Sequence, residues 1–444
     1  MKKVIAFVLA MALCGAMFTG CQGTPTASTA APSKASEAPQ SAAASEPAKP
    51  AEITVVTSYG GDDGNRANYE KAYKAYETAT GNTVKDASGT SNEEWKSKIM
   101  ADFETGAEPD VLFYFNGVDA NKLVQGGKVV SIDEIRKVYP DYASNMRDDL
   151  LGASPADGKN YSVPVNGYWE GLYVNKKVLK ASGVEVPGAS YTWDQFLKDC
   201  ETIKAKGNTP IACSLQEVPH YWFEFTVFNH DTLTTHTKLP ATSSDDAGKA
   251  WAAGLNDIKT LYGKGYFPKN TTTATDAETF QLMADNKAAF AIDGSWKIGW
   301  FQENAKSIDD FTVTYVPSAN QRKSTDIIGG LSMGYYITKK AWDDSAKQKA
   351  CVDFVKAMTT DDVVSSFGAT AITALKNGTT APTNADSLVT AALAMTKGAT
   401  GIAPAAQDGL NQTARTALFA DIKNIATGKT TAEKAIDACL AIKG

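Results

Sequence analysis

The pattern of hydrophobic and polar positions from residue 52 onward alternates between short β-branched runs and longer segments with helical spacing. Residues 53–57 alternate β-branched side chains and predict a first strand. Residues 68–80 carry apolar and aromatic side chains at helical spacing and end beside Gly81, which predicts a helix. A strand at 83–86, a helix at 92–104 and a strand at 111–115 follow. Strands that alternate with helices predict a largely parallel α/β sheet covered by helices on both faces.

The same alternation continues to the end of the chain. Thr192 stands directly before a helical segment and is predicted to cap it. The further predicted strands are 171–175, 211–214, 288–292 and 312–316, and the further predicted helices are 192–205, 344–358, 361–367, 411–427 and 431–442.

The first fifty residues have a different pattern. Lys2 and Lys3 precede an apolar run at 4–18, which is shorter than the roughly 20 residues that a membrane-spanning helix needs. A signal peptide at 1–20 is therefore predicted. Residues 18–21 resemble the lipobox of bacterial lipoproteins, which implies acylation of Cys21; the alternative is an ordinary secretory signal with an incidental cysteine. Residues 21–51 are rich in Ala, Ser and Pro without hydrophobic period and predict a disordered tether.

Composition and charge exclude several classes of function. The net charge of −6, with no basic stripe, excludes nucleic-acid binding. The three histidines lack metal-ligand spacing, so no metal site and no cofactor are expected. Four cysteines beyond the tether form no CxxC pair. Cys200 and Cys213 could form a disulfide, but the favoured interpretation is that Cys200, Cys213, Cys351 and Cys439 are all small buried hydrophobic residues.

A set of short motifs recurs along the chain in a specific order. They are GAEPDV at 106–111, GGKVVSID at 126–133, GKNYSVP at 158–164, GLYVNK at 171–176, TWDQF at 192–196, NKAAFAIDGSW at 286–296 and GG at 329–330. Each motif is weak alone. In this order and approximate spacing they resemble the family-1 extracellular solute-binding proteins, the maltose- and oligosaccharide-binding group, over almost the whole chain beyond the tether.

The resemblance implies an α/β, two-lobed periplasmic-binding-protein fold of the class II type. Each lobe would be a mainly parallel sheet flanked by helices, with a hinged cleft between the lobes. The implied first lobe is 52–167 with 331–378, and the implied second lobe is 168–330 with 379–444. Ligands of open α/β sheets bind beyond the carboxyl ends of strands, so residues just after strands are the candidates for the site.

A sugar offers apolar C–H faces and hydroxyl groups, so its site needs flat aromatic rings together with fixed polar groups. Trp296 is the first candidate, because the tryptophan of this motif stacks on the sugar in related proteins; core packing is the alternative. Asp293 stands at the same strand end and would accept hydroxyl protons, or would only form a turn. No tryptophan follows Trp342, so the tryptophan sometimes found near the family's C-terminal helices has no counterpart.

The remaining candidates follow other predicted strands or lie at the lobe crossings, and each has a structural alternative such as core packing, a surface loop or a hinge. Tyr168 and Glu170 lie at the first crossing and Gly330 and Ser332 at the second; Trp222 is a second aromatic platform, His220 a donor, and Tyr59, Asp62 and Asn116 follow strands of the first lobe.

The resemblance implies a function without catalysis. The chain would be the carbohydrate-binding subunit of an ABC importer, monomeric and held by a lipid anchor on the extracellular face of the cell membrane. It would deliver its ligand to a membrane permease, and the absence of a Walker loop leaves ATP hydrolysis to a partner. Two alternatives remain open: a receptor for a polyamine or peptide, and a secreted glycoside hydrolase, which would need two carboxyls flanking the scissile bond.

Overall fold

The computed structural model describes residues 50–443 except Asp62, Asn166, Ala369 and Ala381. These residues belong to one compact unit that spans Lys49–Gly444. The predicted signal peptide, the tether up to residue 49 and Cys21 lie outside the described residues.

The strands fall into two main sheets and one short hairpin. In chain order they are β1 (Glu52–Val56), β2 (Thr83–Asp86), β3 (Val111–Phe115), β4 (Gly152–Ala153), β5 (Asn160–Ser162), β6 (Tyr168–Asn175), β7 (Thr209–Ile211), β8 (Ala288–Gly294), β9 (Phe311–Thr314), β10 (Asp326–Gly330), β11 (Met333–Ile337) and β12 (Gly401–Ala403).

The first sheet has the strand order β11-β3-β1-β2. β1 runs parallel to both β2 and β3, and only β11 is antiparallel to its neighbour. This sheet is mainly parallel, as the sequence predicts.

The second sheet has the order β12-β10-β6-β8-β7, with β9 also paired to β6. β6 is antiparallel to β8, β9 and β10, whereas β7 pairs with β8 and β10 with β12 in parallel. The expectation of a mainly parallel second sheet is therefore wrong. The chain passes into this sheet along β6 and returns from it along β10 to β11 of the first sheet. β6 and β10 are neighbours, so the outgoing and the returning strand lie antiparallel.

Helices cover both sheets. They are α1 (Arg66–Thr80), α2 (Glu93–Thr105), α3 (Asn121–Gln125), α4 (Ile132–Val138), α5 (Lys176–Ser182), α6 (Trp193–Ala205), α7 (His220–Phe228), α8 (Asp246–Gly263), α9 (Asp276–Ala284), α10 (Lys297–Asn304), α11 (Lys339–Asp343), α12 (Gln348–Met358), α13 (Asp361–Phe367), α14 (Ser387–Gly398), α15 (Gln412–Ala426) and α16 (Ala432–Leu440), with 3-10 turns at Gly117–Ala120, Asp148–Leu150, Ile308–Asp310 and Ala406–Gly409.

Local signals fix the helix ends that the sequence predicts. Thr192 caps α6, because its side chain accepts a hydrogen bond from the backbone N–H of Gln195. Gly81 ends α1 in the left-handed conformation at φ 75°, which favours glycine. Two predictions needed correction: the strand expected at 211–214 is β7, which begins two residues earlier, and the helix expected at 344–358 is α12, which begins only at Gln348.

Each sheet has its own hydrophobic core. Ile53, Val111 and Tyr335 belong to the core of the first sheet, together with buried residues of α12 and α13. Leu172 and Phe290 belong to the core of the second sheet, which also includes buried residues of α7, α8, α15 and α16. The first lobe hereafter means the first sheet with its packed helices, and the second lobe means the second sheet with its own.

Cys200, Cys213, Cys351 and Cys439 are all buried free thiols, which confirms the favoured interpretation over a disulfide. Within the described part of the chain, no helix combines the length and the apolar character that crossing a membrane requires.

Candidate functional site

Three partly exposed aromatic side chains come together at one edge of the second sheet. Tyr168 begins β6, Trp296 directly precedes α10, and Tyr221 lies in the first turn of α7. The ring centroid of Trp296 is 6.1 Å from that of Tyr168 and 6.0 Å from that of Tyr221, with the planes tilted. Because all three residues are partly exposed, they form an aromatic surface that a ligand could reach.

The position of the Trp296 ring depends on Gly294. A Cβ atom on Gly294 would lie 2.2 Å from the Cη2 atom of Trp296, so the indole occupies space that any side chain would fill. The peptide groups of Gly294 are also held: its N–H donates to Asp293 Oδ1 at 2.7 Å, and its carbonyl accepts from the Tyr173 hydroxyl at 2.7 Å. The Asp-Gly-Ser-Trp sequence thus fixes the ring against the end of β8.

Three buried carboxyl groups lie beside this aromatic surface. Glu170 of β6 is opposite Gly294 in the register with β8, and Asp293 is opposite Gly171. Glu224 comes from α7, one turn after His220, and Gln407 donates a hydrogen bond to its Oε1 atom. The Oε2 atoms of Glu170 and Glu224 are buried and have no hydrogen-bond partner. Two acceptor atoms are therefore left for a ligand.

The acids are held in an environment that disfavours their charged forms. Burial and the charge of Glu224 raise the pKa of Glu170 well above its usual value. Burial likewise raises the pKa of Glu224, although the hydrogen bond with Glu170 opposes this. Both carboxyl groups are therefore protonated more readily than exposed glutamates. Burial raises the pKa of Asp293 to about 7, while Lys297, whose Nζ is 3.7 Å from Asp293 Oδ2, lowers it.

His220 packs between two aromatic rings. Its imidazole stacks on Phe419 at 4.7 Å between centroids and meets Tyr221 at 4.3 Å. Its Nδ1 atom is buried without a partner, and burial, followed by the charges of Lys96 and Arg415, lowers its pKa to about 3. The imidazole is neutral at physiological pH. Its predicted role as a donor to the ligand stays a prediction.

Two of the predicted aromatic contacts are wrong. Trp222 is 1% exposed and stacks on Phe196 in the core of the second sheet, so it offers no ring face to a ligand. Tyr59 is 4% exposed and its ring stacks on Phe113 in the core of the first sheet. Both residues come after a strand in the sequence, but their rings point into a core rather than toward the end of a sheet.

The other predicted residues have mainly structural bonds. Asn116 Oδ1 accepts from the hydroxyls of Ser162 at 2.5 Å and Tyr336 at 2.8 Å, so the amide joins elements of the first lobe. Ser332 accepts the backbone N–H of Asn116 at 2.7 Å through its carbonyl. Gly330 pairs with Tyr168 in the ladder between β10 and β6, which places it next to the aromatic surface through its backbone. Asp62 is outside the described residues.

Sequence reasoning missed Tyr221, Glu224 and Gln407. The stretch at 220–225 is visibly aromatic, and a helix starting at Pro219 would have placed residues 220 and 224 on one face. Choosing Trp222 by residue type led to the wrong ring. Gln407 lies 183 residues from Glu224, so no local pattern could have joined them.

The first lobe meets the second next to Trp296. A Cβ atom on Gly64, in the segment between β1 and α1, would lie 2.5 Å from the carbonyl oxygen of Trp296. The aromatic surface therefore borders the junction of the two lobes. Across the described residues, no group of three or more His, Cys, Asp or Glu side chains is arranged to hold a metal ion.

The arrangement suits one kind of ligand chemistry. The rings give a flat apolar surface, and the buried carboxyl groups give fixed hydrogen-bonding atoms beside it. A molecule with an apolar face and several hydroxyl or amine groups would fit both parts.

The chain superposes on solved structures of other proteins over nearly their whole length. A chitin oligosaccharide binding protein has a TM-score of 0.74 at 23% identity, covering 88% of this chain and 97% of its own. A maltose-bound protein from T. maritima has a TM-score of 0.69 at 15% identity, covering 88% and 98%. These likenesses show the fold, which is the two-lobed periplasmic-binding-protein fold that the sequence predicts.

Curated relatives match about half of the chain. The multiple sugar-binding protein of Streptococcus mutans is 26% identical over 235 residues, which are 49% of this chain and 52% of the relative. The melibiose/raffinose/stachyose-binding protein of Bacillus subtilis is 25% identical over 243 residues, which are 50% and 54%. The chain thus spans about half the length of the curated relatives it matches.

The family model for bacterial extracellular solute-binding proteins matches residues 71–372, which include strands β2 to β11 and the segment that carries Trp296. The motifs, the two-sheet architecture and this match agree. The chain belongs to the bacterial extracellular solute-binding proteins.

Proposed function

We propose that this chain is the carbohydrate-binding subunit of an ABC importer and that it binds an oligosaccharide on the surface formed by Tyr168, Tyr221 and Trp296. The observation that carries the proposal is this partly exposed aromatic surface beside the unpartnered Oε2 atoms of Glu170 and Glu224. Rings stack on the C–H faces of a sugar, and carboxyl groups accept its hydroxyl protons.

The relatives support the sugar. Both curated relatives are sugar-binding proteins by name, and the solved structures with this fold include one bound to raffinose, with a TM-score of 0.67 at 17% identity. These names describe those proteins, and they favour a carbohydrate over a polyamine or a peptide for this chain.

The mechanism is capture by closure of two lobes. The first lobe would comprise 52–167 and 331–378, and the second 168–330 and 379–444. Saccharide would bind on the second lobe, and the first lobe would close over it by hinge motion at the two crossings. The closed form would then dock on a membrane permease, and a separate ATPase would drive transport.

Capture takes place without catalysis. A glycoside hydrolase needs two carboxyls about 5 to 10 Å apart, with the scissile bond between them. The matched family is one of solute-binding proteins and both curated relatives are sugar-binding proteins by name, which supports a receptor over a hydrolase. Acylation at Cys21 would hold the receptor, as a monomer, on the extracellular face of the cell membrane.

Titration calorimetry with a panel of mono- and oligosaccharides tests the proposal. We expect at least one oligosaccharide to bind with a defined stoichiometry, and spermidine and a short peptide to produce no heat of binding. If a polyamine or peptide binds and no saccharide does, the carbohydrate assignment is wrong. Incubation of the bound saccharide with the protein, followed by chromatography, should return it uncleaved; cleavage products would contradict the absence of catalysis.

A further inference from the structure

Four charged side chains meet where the first turns of α15 and α2 approach the 3-10 turn Gly117–Ala120. The Arg415 guanidinium lies 2.5 Å from Asp119 Oδ1 and 3.4 Å from Glu93 Oε1. Lys96 Nζ lies 3.0 Å from Glu93 Oε1 and 3.3 Å from Asp119 Oδ2. The side chains of Arg415, Asp119 and Lys96 are 4%, 6% and 9% exposed, so these ion pairs are shielded from solvent.

The four residues come from both lobes. Trp95 and Ile99 of α2 and Ala120, next to Asp119, pack in a core with β3 and β11 of the first sheet. Ala414 and Leu418, on either side of Arg415, pack in the core of the second sheet. Glu93, Lys96 and Asp119 therefore belong to the first lobe, and Arg415 alone is supplied by the second.

Polar neighbours of Arg415 make the same crossing. Gln412 Nε2 donates to the Glu93 carbonyl at 3.3 Å and to Ser97 Oγ at 3.1 Å. The Thr416 hydroxyl donates to Glu93 Oε2 at 3.2 Å. The first turns of α15 and α2 are thus joined by several hydrogen bonds as well as by the ion pairs. Separation of the lobes would break all of these bonds together.

The crossing also borders the ligand site. The 3-10 turn Ala406–Gly409 contacts the turn Gly117–Ala120, which contains Asp119. Within the same turn, Gln407 donates to Glu224 of the buried acid pair. A ligand that reorders Glu224 would therefore act on the segment packed against Asp119.

We propose that Arg415 is a latch that holds the lobes closed by pairing with Asp119 and Glu93. When the lobes separate, Lys96 stays with Asp119 and Glu93 on the first lobe, and only Arg415 exchanges its partners for water. The ion pairs therefore stabilise the closed arrangement specifically and contribute little to the folding of either lobe. The latch rests on one part of the proposed function, namely that the lobes close over a bound ligand.

The test compares Arg415→Met and Asp119→Asn with the wild-type chain. Stopped-flow dissociation of a bound saccharide should accelerate about fivefold or more in both variants, the lower end of typical coupling between sites, with the association rate little changed. Arg415→Lys, which keeps the charge on a shorter side chain, should fall between. An unchanged dissociation rate in Arg415→Met, with its unfolding temperature kept, overturns the latch.

Arg136→Gln is the matched control. Arg136 pairs with Asp148 at 2.9 Å and donates to the Tyr142 carbonyl, all within the first lobe, so its replacement should leave dissociation unchanged. An equal acceleration in this control would show that any lost ion pair has the effect, and would also overturn the latch.

Small-angle X-ray scattering keeps the latch separate from the choice of ligand. The radius of gyration of the ligand-free chain should be larger in Arg415→Met than in the wild type, because the closed fraction falls. If no saccharide binds the wild-type chain, the proposed function fails and scattering alone decides the latch. Equal radii would then overturn it.

Discussion

The backbones of Gly64 and Gly299 touch across the junction of the two lobes. A Cβ atom on Gly299 would lie 2.6 Å from the carbonyl oxygen of Gly64, and one on Gly64 would lie 3.0 Å from the Cα atom of Gly299. Gly64 follows the first strand, and Gly299 lies in α10, three residues after Trp296. Neither position has room for a methyl group, so the closed arrangement requires glycine at both.

Replacing Gly299 by alanine should therefore weaken ligand binding while preserving the fold. The methyl group would keep the segment at Gly64 away from Trp296, and a roughly tenfold loss of affinity, about 1.4 kcal/mol, is expected by calorimetry. The unfolding temperature should be kept or raised, because alanine favours a helix over glycine.

Gly263→Ala is the control for this variant. Gly263 also lies in a helix, but a Cβ atom built there meets nothing within 4 Å, so affinity should not change. Equal affinity of Gly299→Ala and the wild type would show that the glycine contact does not limit closure.

Trp296→Ala should lower the affinity for a bound oligosaccharide by about 1 to 3 kcal/mol, because a stacking ring is lost from a partly exposed surface. Calorimetry gives the change in affinity, and thermal unfolding shows whether the fold is intact. Trp193→Ala is the matched control, since Trp193 is also partly exposed but lies on α6 beside Phe196. If the two variants bind alike, Trp296 is not part of the site.

Trp222→Ala, unlike Trp296→Ala, should lower stability rather than ligand affinity. A destabilisation of about 3 to 5 kcal/mol is expected, as for other large-to-small changes in a core. The reason is its position in the core of the second sheet, where its ring stacks on Phe196 at 5.7 Å and meets Phe267 edge-on at 6.2 Å. Denaturant unfolding measures the loss. A change in ligand affinity without a loss of stability would return Trp222 to the site.

Stability should fall as the pH rises from about 6.5 to about 8. Burial raises the pKa of Glu224 from 4.5 to about 8, so the folded chain binds more protons than the unfolded chain in that window, and the free energy of unfolding decreases with pH. Burial lowers the pKa of His220 from 6.5 to about 3 and also lowers that of His236, so the two histidines act in the opposite direction. Their contribution fades as the pH rises above 6.5, where histidines of the unfolded chain lose their protons, and the decline due to the acids then dominates.

The measurement is the unfolding temperature between pH 6.5 and pH 8 for the wild type and Glu224→Gln. The amide removes one of the titrating groups, so the decline should be shallower in the variant. A decline of the same slope in both proteins would mean that the buried acid pair does not set the pH dependence.

Local sequence determined most of the elements and the class of the fold. Helix starts at Asn92 and Thr192 and the helix end at Gly81 follow from side-chain caps and from a left-handed φ, which depend only on neighbouring residues. The ordered motifs predicted the fold, and the residues that follow β8 predicted the position of Trp296. The indole of Trp296 occupies the space that a side chain at Gly294 would fill, and this contact joins residues only two positions apart.

Only the tertiary structure decided which other side chains join the site. Strands β6 and β8 bring Glu170 beside Gly294 by register, and α7 turns Tyr221 outward while Trp222 points into the core. Gln407 and Arg415 reach their partners across long sequence separations, Glu224 for the first and Asp119 for the second. Such pairs depend on how the lobes and helices pack, and packing is determined by the whole chain, not by the residues next to each member.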